Sequence, residues 1–178
     1  SDFIVGEPDG AARVTEVADG EVALAPELGT DFQGAALPDD WTVSPWTPTG
    51  TATVSGGIVA VDSALLVVDT SFTPDRSIEF VATFGNGPFQ HVGLGTDLNG
   101  VPWMIFSTGS SGTALYARSN SAVPGTDTLI SGDWLGSAHR YRIDWTATTA
   151  TYFIDGLQVA QHIVASIGEV RPVISDGP

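Results

Sequence analysis

Residues 137–164 read SAHRYRIDWTATTATYFIDGLQVAQHIV. In the first part, His139, Tyr141, Ile143 and Trp145 alternate with Arg140, Arg142 and Asp144. A period of two sends successive side chains to opposite faces of a strand, so this pattern predicts one wet face and one buried face. Residues 146–150 supply a turn. Residues 151–154, Thr-Tyr-Phe-Ile, are β-branched and aromatic, the composition that suits a pleated, half-buried surface. Asp155-Gly156 follows at once, and residues 157–164 lead away. Asp-Gly between apolar runs predicts a tight hairpin, because a type I′ turn needs positive φ at both central residues and these two tolerate it. The stretch therefore reads as three short antiparallel strands.

The rest of the chain has the same texture. Residues 51–54, 58–61, 65–69, 78–84, 89–95, 103–107, 114–118 and 170–174 read as strands, with turn residues such as Ser55-Gly56-Gly57 and Gly85-Asn86-Gly87-Pro88 between them. Within 78–84, Ile78, Phe80 and Ala82 share one face, and Glu79 and Val81 the other. Residues 32–46 read as a Pro-rich loop whose Trp41 and Trp46 are either plugs closing one end of the sandwich, the favoured reading, or an exposed stacking platform. Residues 119–132 read as a polar connection, and 163–169 as a short turn. Near the N-terminus, 13–17 and 21–25 alternate around Asp19-Gly20 and predict a hairpin, after an apolar run at Phe3-Ile4-Val5 and a turn at 7–10. No segment of useful length shows a 3.6-residue period. The expectation is an all-β protein, a two-sheet antiparallel sandwich.

The chain's 178 residues suffice for a full core, and 42% are hydrophobic, so it is globular. Its net charge is −15, and all six basic residues are Arg. That balance disfavours nucleic acid and anionic membrane as partners. The absence of Cys excludes a disulfide framework and thiolate chemistry. No apolar run approaches the roughly 20 residues needed to span a bilayer; the densest, 58–68, is broken by Asp62 and Ser63. Residue 1 is not preceded by the basic and apolar regions of a signal peptide, so the expectation is a mature form or a piece of a longer protein.

Several motifs resemble the concanavalin A-like lectin/glucanase superfamily, with its laminarinase-type glucanases and laminin G-like modules. His139, Tyr141 and Trp145, followed by Tyr152 and Asp155-Gly156, resemble that superfamily's late hairpin. Asp31-Phe32, Leu37-Pro38 and Trp41 resemble its opening, and SIEFVATF at 77–84 one of its strands. The resemblance spans residues 29–176 and implies a jelly-roll sandwich at 29–178, with 1–28 as an arm or extra edge strands. In that superfamily a further apolar-Asp-aromatic strand follows. This sequence ends at Pro178, so an open sheet edge is expected unless the N-terminal portion fills it, and an open edge is a template for pairing.

The resemblance also says what an enzyme would need. Laminarinase-type glucanases carry Glu-x-Asp-x-x-Glu or Glu-x-Asp-x-Glu on one strand, which sets two carboxylates about 5–5.5 Å apart for a retaining mechanism. The glutamates here are Glu7, Glu16, Glu21, Glu27, Glu79 and Glu169, and none lies in that pattern. An inverting pair from separate strands, such as Glu79 with Asp97, is the weaker enzymatic option. No Gly-x-Ser-x-Gly elbow supports nucleophilic catalysis, and His91, His139 and His162 lack metal-ligand spacing. No cofactor is required on this reading. The metal candidates are Asp97 and Asn99 in GTDLNG; they offer calcium two of its six to eight oxygens and otherwise read as an Asx turn.

Glycan recognition needs aromatic faces and planar polar groups. If Val92, Leu94, Met104 and Phe106 face the core, then His91, Trp103 and Ile105 lie on the opposite face, with Tyr116 and Arg118, and Arg140 and Arg142, as expected neighbours. The sequence thus leads to a non-catalytic extracellular or cell-surface module binding a glycan or other polymer. One alternative is a structural subunit of a fibre or array, joined to other copies or neighbouring domains by strand exchange. The other is a degenerate glycoside hydrolase.

Overall fold

The computed structural model describes residues 25–121, 125–165 and 168–178, and the backbone of two strands at 12–14 and 22–24. In chain order the strands begin with β1 (Ala12–Val14), β2 (Val22–Leu24), β3 (Trp41–Pro45), β4 (Thr51–Ser55) and β5 (Ile58–Asp62). Next come β6 (Ala64–Val68), β7 (Arg76–Thr83), β8 (Gln90–Gly95), β9 (Trp103–Ser107) and β10 (Tyr116–Asn120). The last are β11 (Thr126–Leu129), β12 (Ala138–Trp145), β13 (Thr149–Ile154), β14 (Leu157–Ile163) and β15 (Arg171–Asp176). There is no helix among the described residues.

The chain divides into two compact units, Ser1–Asp31 and Phe32–Pro178. In the first, β1 and β2 pair antiparallel, with Ala12 opposite Leu24 and Val14 opposite Val22. The apolar run at 3–5, the turn at 7–10 and Asp19-Gly20 lie outside the described residues, as do 166 and 167 of the turn expected at 163–169.

The second unit is a sandwich. One sheet has seven strands in the order β11-β10-β9-β8-β15-β6-β3; the other has four, β14-β13-β12-β7. A separate hairpin, β4–β5, turns through Gly56 and Gly57, both at positive φ. The all-β two-sheet architecture expected from sequence is present. So is the Asp155-Gly156 turn, with φ of 48° and 82°. Two elements differ from expectation. Residues 41–45, read as loop, form β3 on the edge of the larger sheet, and residues 126–129, read as connection, form β11 on its other edge. Both are short edge strands, which satisfy only half their backbone through the sheet: Trp41 and Val43 alternate with Thr42 for three residues only before Ser44 and Pro45, and Thr-Asp-Thr-Leu has a single apolar residue.

The two sheets meet through one face each. Tyr141, Ile143 and Trp145 of β12 and Ala150, Tyr152 and Ile154 of β13 meet Leu94, Met104, Phe106 and Ala117 of the larger sheet. Phe106 sits at the centre, with ring centroids 4.8 Å from Tyr141, 5.4 Å from Tyr152 and 6.3 Å from Phe80. Tilted and edge-on aromatic pairs of this kind add to what their buried area contributes.

A polar tie crosses this core. His162 of β14 is buried, and its Nδ1 lies 2.8 Å from the Ser119 hydroxyl on β10. Its Nε2 lies 2.9 Å from the Thr128 hydroxyl on β11. The Tyr152 hydroxyl donates to the Arg118 carbonyl at 2.7 Å. Strands β10 and β11 are thus bonded from beneath to the opposite sheet, and the side chains they present on the other face stand on a fixed backbone. Burial holds His162 below the usual imidazole pKa, with Asp127 pulling the other way.

Candidate functional site: the outer face of the seven-stranded sheet

Register places the outward side chains. Arg118 of β10 lies opposite Ile105 of β9, Ile105 opposite Gly93 of β8, and Gly93 opposite Val173 of β15. The next row runs Leu129, Tyr116, Ser107, His91, Ser175, Leu65. Trp103 lies between Asn120 and Gly95.

This face has two halves. Over β15 and β6, Leu65, Val67 and Val173 are buried with Ile105, and Trp46, Leu98 and Trp103 pack against them. Trp46 is fixed there at both ends: its backbone N–H donates to the Ser63 carbonyl at 2.8 Å, and its indole N–H to the Ser175 hydroxyl at 2.9 Å. Gly50 lets the loop close, since a Cβ at that position would overlap the same Ser63 carbonyl. Trp46 is thus a cover over this half of the sheet, not a free stacking surface.

Over β9, β10 and β11 the face is half-open. The Arg118 guanidinium lies 5.5 Å from the centre of the Trp103 ring, and its Nε donates to Asp127 Oδ1 at 2.9 Å. Tyr116 is half-buried beside them, and Leu129, across from it, is exposed. Between the two halves stands His91, flanked in register by Ser107 and Ser175, with Phe89 edge-on at 6.4 Å. Its Nδ1 is buried and makes no hydrogen bond among the described residues. Burial first, and the Arg118 charge second, push His91 down to about 4; it is neutral at physiological pH.

Gly93 lets β8 approach β9 at the middle of this face. A Cβ there would overlap the Met104 carbonyl oxygen and lie 2.8 Å from Ile105 Cα and 3.0 Å from Ile143 Cδ1. Gly93→Ala is expected to cost about 2–3 kcal/mol through forced overpacking, seen as a lower urea midpoint at unchanged m-value.

The sequence-predicted residues divide accordingly. His91, Trp103, Tyr116 and Arg118 share this face. Arg140 and Arg142 do not join them. Both sit on β12, on the far side of the four-stranded sheet, because the alternation that buries Tyr141 and Ile143 turns the intervening arginines away from the larger sheet. There Arg140 Nη1 donates to Glu79 Oε1 at 2.7 Å, and Arg142 lies 4.1 Å from the centre of the Phe153 ring, with Asp144 at 3.1 Å. Glu79, held by Arg140, is on β7 of the smaller sheet, whereas Asp97 follows β8 of the larger one, so the two form no acid pair.

The Asp97–Asn99 loop is an Asx turn: Asp97 Oδ1 accepts from the backbone N–H of Asn99 at 3.0 Å and of Gly100 at 3.3 Å. No group of three or more His, Cys, Asp or Glu suited to a metal occurs among the described residues. Sequence reading missed Asp127 as the partner of Arg118, since it lay in what read as polar connection.

No family model matches the chain, and no curated protein matches it in sequence. Solved structures do match in shape. The Crh5 transglycosylase in complex with NAG aligns with a TM-score of 0.61 at 18% identity, over 82% of this chain and 66% of that one, just under two thirds of its length. A prokaryotic β-1,3-1,4-glucanase (lichenase) from a mouse hindgut metagenome aligns at 0.58 and 14% identity, over 80% and 83% of the two chains. The endo-β-1,3-glucanase of Pyrococcus furiosus aligns at 0.59 and 11%, over 81% and 80%. At such identities the likeness concerns architecture alone: the chain has the concanavalin A-like jelly-roll fold shared by these glucanases and transglycosylases.

Proposed function

We propose that this protein is a non-catalytic carbohydrate-binding module that works outside the cell as part of a larger surface or secreted protein. The observation that carries the reading is the stripe Trp103–Arg118–Tyr116 on the half-open face. A pyranose has apolar C–H faces and a rim of hydroxyls, and it matches aromatic rings interleaved with a fixed guanidinium. Asp127, clamped to Arg118, is the one carboxylate among the described strand residues of that face. A glycosidase needs two, one to protonate the leaving oxygen and one as nucleophile or base. Jelly-roll relatives in shape that are named for acting on glucans support a glycan as the ligand class.

Trp103→Ala is expected to weaken glycan binding about tenfold or more, equivalent to at least about 1.4 kcal/mol. Isothermal titration with laminarihexaose, a mixed-linkage glucan hexasaccharide and chitohexaose checks this. Arg142→Ala, on the other side of the sandwich, is expected to leave affinity unchanged. Equal losses in both variants would remove the face from the proposal.

A second reading rests on a different observation. Strand β7 stands at the edge of the four-stranded sheet, with no further strand beyond it among the described residues. A structural subunit joined to its neighbours through strand addition would use such an edge. Size-exclusion chromatography over a range of concentrations separates the two: a stable monomer favours the binding module, and concentration-dependent polymers favour the subunit.

A further inference from the structure

A cavity of about 330 Å³ lies at one end of the sandwich, beyond the outer face just described. Asn86, Thr113, Asp133, Trp134 and Leu129 are among its lining residues. Its size falls at the small end of ligand pockets, room for one or two rings and not for a long apolar chain. Leu129 joins it to the site, for the same side chain stands across from Tyr116 on the outer face.

The tryptophan here is held in place from several sides. Its indole N–H donates to the Ser131 carbonyl at 2.9 Å. His139 meets it edge-on, with centroids 5.1 Å apart. His139 is itself pinned between the Ser137 hydroxyl at 2.9 Å and Asp155 at 2.8 Å. Gly132, at a φ of 126°, passes so close that a Cβ would lie 2.6 Å from the indole nitrogen. Trp134 packs against the core on one side yet stays half-buried and lines the cavity. Plugging the sandwich end accounts for the packed side; it does not account for polar groups gathered around the other. Asn86 and Asp133 are exposed and make no hydrogen bond with the described residues, so an amide and a carboxylate stand ready beside an oriented ring.

We propose that this cavity is a second sugar subsite. It takes one neutral pyranose unit, with Trp134 under the ring and Asp133 and Asn86 on its hydroxyls, and the same glycan continues past Leu129 onto Tyr116, Arg118 and Trp103. The proposal rests on the binding reading above and extends it to a second point of contact. It also favours an uncharged ligand: a carboxylate in the cavity and a net charge of −15 on the chain repel uronic acids.

The test uses the tightest-binding of the three hexasaccharides, titrated into wild type, Trp103→Ala, Trp134→Ala and the double variant Asp133→Ala/Asn86→Ala. Trp134→Ala removes core contact and can unfold the end of the sandwich. The double variant changes only exposed side chains and keeps its fold, so it decides the matter. It is expected to bind about tenfold more weakly with an unchanged melting temperature. Wild-type affinity in the double variant overturns the subsite while leaving the face standing. Loss in the double variant with none in Trp103→Ala keeps the subsite and removes the face. A wild-type Kd weaker than about 1 mM for all three sugars overturns both. An oligogalacturonate that binds as tightly as the neutral sugar overturns the assignment of a neutral unit.

Discussion

Phe106→Ala is expected to cost about 3–5 kcal/mol of folding stability, a large part of what a domain has. The side chain is fully buried, and it meets Tyr141 and Tyr152 on one sheet and Phe80 beside them. Alanine would remove the transfer energy of the ring and leave a hole among stiff aromatic neighbours that cannot all move inward. Urea unfolding checks it, with Leu157→Ala as control. Leu157 is 69% exposed at the start of β14, so its loss is expected to fall within about 0.5 kcal/mol. A cost below about 1 kcal/mol at Phe106 would mean that the sheets do not close on this ring.

Acid is expected to destabilise the protein through His91. Unfolded, this imidazole titrates near its ordinary 6.5; folded, it is held down to about 4. The folded state therefore disfavours the proton. Its stability contribution is whole above about pH 6.5, drains away between there and about pH 4, and is flat below. The shift corresponds to about 3 kcal/mol over that window. His162, also lowered by burial, acts in the same direction. Asp176, raised by burial and by Asp62, acts in the opposite direction. His91→Phe isolates the effect of this imidazole, because a ring of similar shape remains and no titrating group does. Melting curves from pH 7 to pH 4 are expected to show a markedly smaller fall in the variant than in wild type. Parallel falls would place the acid sensitivity elsewhere.

How much of this is written in the sequence differs by element. The alternation in AHRYRIDW survives folding because both its faces are decided locally: apolar rings toward Phe106, charges toward water. Asp155-Gly156 is equally legible, since its φ values follow from what two residues tolerate. The same alternation that placed His91 with Trp103 also sends Arg140 and Arg142 away, but only a known strand order says to which sheet each belongs. Strand order depends on pairings far apart in sequence, such as β8 with β15 and β7 with β12. Trp46 shows the limit most clearly. Its place over the sheet depends on Ser63 and Ser175, the second 129 residues away, and nothing near Trp46 announces either partner. Strand β11 was hidden because Thr-Asp-Thr-Leu has one apolar residue, and that one faces out.

That a sugar chain is held on this face and left uncut is tested most directly by equilibrium dialysis of laminarihexaose against wild type and Trp103→Ala, with the sugar in both chambers sized by mass spectrometry. Intact hexasaccharide enriched on the protein side with wild type, and much less enriched with the variant, is the expected result. Shorter fragments appearing with wild type, or equal enrichment by both proteins, would contradict it.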